Sequence, residues 1–232
     1  MTLGLSTLLI VAAVQVQTGL PSREEAIAQL ESQGKAKEAF FVCIYNTNVT
    51  PSRKLVEDTD PFFLLDGTNS AASKFSSEVS TEQVFAKCAV AMSDALPTQQ
   101  KMSVIFDMRE YRHWVARRVY IERYPETRTF GKLQKPKRKP GNYGDNTDAV
   151  ASLLRTVDCA VQRDPVTADW LVRNGNPTEP QLGSEFLSNS SRLVDNYYKC
   201  ANQFTPTNGV TEIMNNIGGV LADSLLKMPD KQ

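Results

Sequence analysis

Histidine is almost missing from this chain: the 232 residues contain one, His113, so histidine metal sites and paired-histidine metalloprotease motifs are excluded. A Ser-His-Asp or Cys-His arrangement would have to use that residue, which lies between Arg112 and Trp114 in a basic stretch, and no Gly-x-Ser-x-Gly elbow occurs. His113 therefore reads as a surface residue. Gly-x-Gly-x-x-Gly and Gly-x-x-x-x-Gly-Lys are also lacking, which disfavours nucleotide binding through phosphate-cradling loops. The four cysteines include no Cys-x-x-Cys pair, so zinc-ribbon and thioredoxin-like readings fall away.

With 41% hydrophobic and 22% charged residues, the chain sits in the ordinary globular range. Its formal net charge is zero, but residues 109–139 hold eleven Lys or Arg against three Glu, a local +8 that the remainder balances with −8. The run from Leu3 to Val16 is apolar and too short to span a hydrocarbon core, and small and polar residues follow at Thr18 and Gly19. That is the shape of a signal peptide over residues 1–19. No Lys or Arg stands in its n-region and no clean small-x-small site follows, so a retained hydrophobic N-terminal helix is the alternative.

Cys43, Cys88, Cys159 and Cys200, separated by 45, 71 and 41 residues, agree with an oxidising compartment. The pairing expected is Cys43 with Cys88 and Cys159 with Cys200, each joining neighbouring apolar stretches; the alternative is four buried thiols in a reducing compartment. Two sequons, Asn48-Val49-Thr50 and Asn189-Ser190-Ser191, mark Asn48 and Asn189 as glycosylation candidates, though Pro51 weakens the first.

Pro21-Ser22-Arg23-Glu24-Glu25 has the capping-box pattern of a helix start, with Gly34 as its stop. The apolar stretch 39–45 is read as a helix, and 46–77, rich in Asn, Thr, Ser, Asp and Pro, as a long loop. Ser80 and Gln83 open a helix that Pro97 ends. Residues 99–123 read as the longest helix, with Met108, Val115 and Val119 inside and the arginines outside. The segment 126–147 reads as a basic exposed linker. Beyond it, 148–162 is a helix that Pro165 stops. Residues 184–204 lay Phe186, Leu193, Tyr197 and Cys200 on one stripe, and 210–227 end the chain with Gly218-Gly219 as a close-packing point or kink. The expected fold is all-α, about five to seven helices in a disulfide-stapled bundle, with a first helical half over 20–125 and a second over 148–232.

Glu57-Asp58-Thr59-Asp60 could gather oxygens for a hard cation, but a solvated acidic loop explains it better, and Asp66-Gly67-Thr68 is explained by a turn. Neither catalytic nor metal-binding residues nor a cofactor are expected. Trp114, Trp170, Met92, Met102 and Met108 fall where core packing accounts for them. The basic segment alone has functional colour. Lys132, Lys135, Lys137, Arg138 and Lys139, with Arg117 and Arg118, could meet an acidic protein, anionic headgroups or a sulfated glycan, with nucleic acid disfavoured. The plain alternative is a solvated helix face and tethering loop. These residues suggest a secreted, non-enzymatic binding protein with an unknown ligand. The runner-up is an accessory subunit of a membrane-associated assembly, facing the mitochondrial intermembrane space or another oxidising lumen; the third reading is an enzyme of unrecognised type using carboxylates.

Overall fold

The structure is a computed structural model, and it describes residues 22–62, 74–75, 82–95, 107–136, 138, 147–175, 183–201 and 209–228. The apolar leader, the Asp66-Gly67-Thr68 turn, Met102, Lys137 and Lys139 lie outside the described residues. Among the described residues every regular element is a helix: α1 (Arg23–Thr47), α2 (Val49–Asp58), α3 (Glu82–Asp94), α4 (Met108–Arg123), α5 (Thr147–Arg163), α6 (Pro165–Asn174), α7 (Ser184–Cys200), α8 (Gly209–Asn215) and α9 (Ile217–Lys227). The all-α expectation holds.

Local chemistry explains most boundaries. The Asp107 carboxylate accepts the Arg109 and Glu110 backbone N–H groups and starts α4, satisfying donors that a helix end leaves open. Asp164 does the same for Thr167, with Pro165 in the first turn of α6, where its missing N–H costs nothing. Pro165 therefore both stops α5 and starts α6, and only the stop was expected. Gly34 does not stop α1. Its helical cost of about 1 kcal/mol is outweighed because Gly34 and Ala36 are buried and the helix continues into the Phe40, Phe41 and Ile44 core face. The supposed long loop likewise contains α2, whose buried Ser52, Leu55 and Val56 share one face.

Disulfides join α1 to α3 through Cys43–Cys88, Cα–Cα 5.4 Å, and α5 to α7 through Cys159–Cys200, Cα–Cα 5.9 Å. This is the expected pairing. The residues before and after the basic segment nevertheless build one core: α9, at the chain's end, packs most extensively on α4 and then on α6, placing Val220, Leu221 and Leu225 with Tyr111, Trp114 and Tyr120. Polar contacts add to the α1–α4 junction. Trp114 Nε1 donates to Glu38 Oε2 at 2.7 Å, and Lys37 pairs with Glu110 at 2.7 Å.

Two expectations for α4 are corrected. Its arginines do not all face outward, because Arg112 is fully buried, and His113 is a core residue. Six consecutive residues, Tyr111 to Ala116, are buried, so this part of α4 is covered on every side. Gly219 lets α9 cover it, while Gly218 packs on the Gly175 backbone at the end of α6. A Cβ on Gly219 would stand 2.4 Å from His113 Cβ and 2.5 Å from the His113 carbonyl oxygen, so only glycine lets the two backbones touch. The close-packing reading of this pair holds, while the break between α8 and α9 falls at Asn216.

Candidate functional site

Several buried charges meet at the junction of α2, α4, α5, α9 and the segment 126–136 with Arg138. Arg112 donates through Nε to Thr59 Oγ1 at 2.8 Å, through Nη2 to the Thr59 carbonyl at 2.9 Å, and through Nη2 to Asp223. Arg138 grips Asp158 in a two-pronged pair, Nε to Oδ2 at 2.8 Å and Nη2 to Oδ1 at 2.6 Å, and also reaches Asp223 and Ser224. Ser224 Oγ donates to Asp158 at 2.8 Å, and Lys227 Nζ lies 3.1 Å from Asp223 and 3.0 Å from the Thr59 carbonyl oxygen. Asp60, also buried, accepts the Phe62 N–H at 2.8 Å. Three cations thus meet three carboxylates.

The electrostatics follow from that balance. Burial alone would raise the Asp223 carboxyl, but Lys227, Arg112 and Arg138 together hold it well below the usual carboxylate range. Asp60 goes the other way, pushed up by burial against the Phe62 N–H and the Arg112 charge. Burial opposes the Arg138 charge, and Asp223 and Asp158 more than restore it, so its pKa is raised. Burial pulls Lys227 down, partly offset by Asp223. Each oxygen of Asp158 and Asp223 already accepts a donor. Chemically the cluster is a lock. Among the described residues no group of His, Cys, Asp or Glu is arranged to hold a metal ion. In the acidic motif Glu57 and Asp58 are exposed while Thr59 and Asp60 are buried.

The basic residues singled out from sequence divide sharply. Arg117 donates to the Val172 and Arg173 carbonyls, both at 2.7 Å, and so caps α6. Arg118 is half exposed and pairs with Glu122 at 2.7 Å. Lys132 and Lys135 are exposed. Arg138, by contrast, has a side chain only 14% exposed and belongs to the charge cluster. The segment is not a free linker, because Arg128 is also buried: it lies over the rings of Tyr124 and Phe130, at 4.5 and 5.1 Å, and its guanidinium reaches the Leu225 carbonyl. Gln162 Nε2 donates to the Gln134 carbonyl at 3.1 Å, and Arg173 gathers the carbonyls of Tyr124 and Pro125. Residues 126–136, with Arg138, form a strap with arginines turned inward and Lys132 and Lys135 turned outward. Sequence reasoning counted all of these charges as one surface; the signal it passed over is residue type, since a five-donor guanidinium suits a pocket of carbonyls and carboxylates, and an ammonium is more strongly hydrated.

Of the glycosylation candidates, one stands between two helices and the other within a helix. Asn48 precedes α2 with Nδ2 donating to the Ile44 carbonyl at 3.2 Å, and Asn189 lies within α7 with Nδ2 donating to Glu185 O at 3.1 Å. Between α5, α7, α8 and α9 an apolar crevice is lined by Val157, Leu193, Tyr197, Ile213 and Leu221. About 280 Å³ is free of atoms there, part of it open solvent, and the gap is scarcely wider than a water molecule. The crevice therefore offers no ready chamber for a larger ligand. The Tyr197 hydroxyl, buried without a hydrogen-bond partner, is pushed up to about 12 by burial and then by Tyr198.

No helix among the described residues is long and apolar enough to cross a membrane. In comparisons of the chain with family models, curated proteins and solved structures, nothing matches.

Proposed function

We propose that this chain is a secreted or lumenal, non-catalytic binding protein that meets an anionic partner through the outward lysines of the strap. Two disulfides are the mark of an oxidising compartment, where such a protein would work. One observation carries the reading: the strap is pinned from beneath by Arg128 and Arg138 while Lys132 and Lys135 stay exposed. A pinned segment presents its charges with less ordering entropy to lose on binding than a free linker would. The buried carboxylates, each engaged by its own cation or N–H donor, support the non-catalytic part.

Retention on immobilised heparin, a sulfated polyanion, tests this. The salt needed for elution should fall clearly for Lys132→Ala/Lys135→Ala, because exposed charges act over a screening length of about 8 Å at physiological ionic strength. Equal elution of wild type and double variant would remove the strap lysines from the function.

A further inference from the structure

His113 offers the strongest unexplained feature. It is fully buried in α4 at the point where α9 comes closest, under Gly219. Both imidazole nitrogens are buried without a hydrogen-bond partner, although a neutral imidazole carries one donor and one acceptor. The charges that act on it are Arg112 and Arg109 on α4 and Asp223 on α9; Asp223 is in turn engaged by Arg112, Arg138 and Lys227 and feels Asp60, two residues beyond α2, and Arg138 is engaged by Asp158 on α5. Arg117 lies over the neighbouring Gly218, and on α6 Asp169 is taken by Arg173 and Tyr120. Asp158, Asp169 and Asp223 are thus held by cations and Asp60 by an N–H donor, so none stands ready to receive an imidazolium.

We infer that His113 is an acid-sensitive latch on the α4–α9 contact: the neutral ring lets the helices close, and the protonated ring requires α9 to lift so that the charge reaches water. Burial first, and the Arg112 charge second, hold its pKa at about 3 in the closed form, against an ordinary 6.5. The open form takes up the proton from about pH 6.5 downward, and the closed form only near pH 3. The latch is therefore fully effective above pH 6.5 and weakens as pH falls, with the closed-to-open ratio dropping about tenfold per unit, or about thirtyfold by pH 5. Asp60, raised by burial, works in the opposite sense on acidification, so the effect has to be isolated at His113 itself.

Hydrogen exchange at pH 7.4 and 5.0, corrected for the intrinsic pH dependence, reads the latch in wild type, His113→Leu and His113→Gln. The rise in α9 amide exchange from pH 7.4 to 5.0 should be about thirtyfold larger in wild type than in either variant, which keeps the Asp60 contribution, while α1 and α3, tied by Cys43–Cys88, show no such difference. An equal rise in all helices, or the same α9 acceleration in the variants, overturns the latch. Should neither variant fold, wild type still decides the matter, because its single histidine gives one imidazole C2 proton resonance. Titration of that resonance near pH 6.5 with native near-ultraviolet circular dichroism overturns the proposal, and an untitrated resonance down to the onset of α9 opening supports it.

Discussion

Arg138→Ala separates a pinned strap from a solvated one. The substitution removes two charge-assisted hydrogen bonds to Asp158 and one each to Asp223 and Ser224. Asp223 keeps Arg112 and Lys227, but buried Asp158 is left with only the Ser224 hydroxyl. Stripping one partner from a buried pair costs about 3–5 kcal/mol, and the surviving partners of Asp223 favour the lower end, about 3 kcal/mol. For a domain of this size that lowers Tm by roughly 6–12 °C. Lys135→Ala, on the exposed side, should stay within about 0.5 kcal/mol. Thermal melts by circular dichroism give both numbers, and a cycle with Asp158→Asn should show a coupling of about 1–3 kcal/mol. A melting point for Arg138→Ala within about 2 °C of wild type would refute the inward placement of the strap arginines.

Further outcomes follow from the same contacts. Gly219→Ala forces a Cβ to within 2.5 Å of the α4 backbone and should destabilise by about 1–3 kcal/mol in a melt, whereas Gly131→Ala, with nothing within 4 Å, should be nearly silent. Reduction opens links that span 45 and 41 residues and should lower the denaturant midpoint, each bridge contributing up to about 4 kcal/mol in the chain-entropy model. Because Asp223 titrates below its unfolded value, its contribution is complete above about pH 4 and is lost as pH falls further; urea midpoints between about pH 2 and 5 should show a shallower acid limb in Asp223→Asn.

Helices with one buried face were legible in the sequence. In α5 the apolar spacing picked out Val150, Leu153, Leu154, Val157 and Val161, all of which are buried, and in α7 it picked out Phe186, Leu193 and Tyr197. The cysteine pairs were legible too, since each lies on neighbouring apolar stretches. What escaped had physical reasons. Residues 111–116 are covered on all sides, so periodicity carries no sign of burial there, and Arg112 and His113 were assigned to the surface by polarity alone. In α2 the polar Val49-Thr50-Pro51-Ser52 start hid a one-sided helix, because Pro51 falls in the first turn, where proline is tolerated. The charge cluster escaped because its partners are far apart in the chain: Arg112 and Asp223 are separated by 111 residues, a pairing that no local pattern encodes. In the strap, net charge concealed the difference between a guanidinium that finds several acceptors and an ammonium that stays hydrated.

The central claim, a disulfide-stapled helical protein exported to an oxidising compartment, is tested most directly by a non-reducing peptide map of protein purified from its own source, with the mature N-terminus read in the same digest. The account predicts Cys43 linked to Cys88, Cys159 linked to Cys200, and a first residue near positions 18–22. Free thiols at all four cysteines together with a chain starting at Met1 or Thr2 would contradict it.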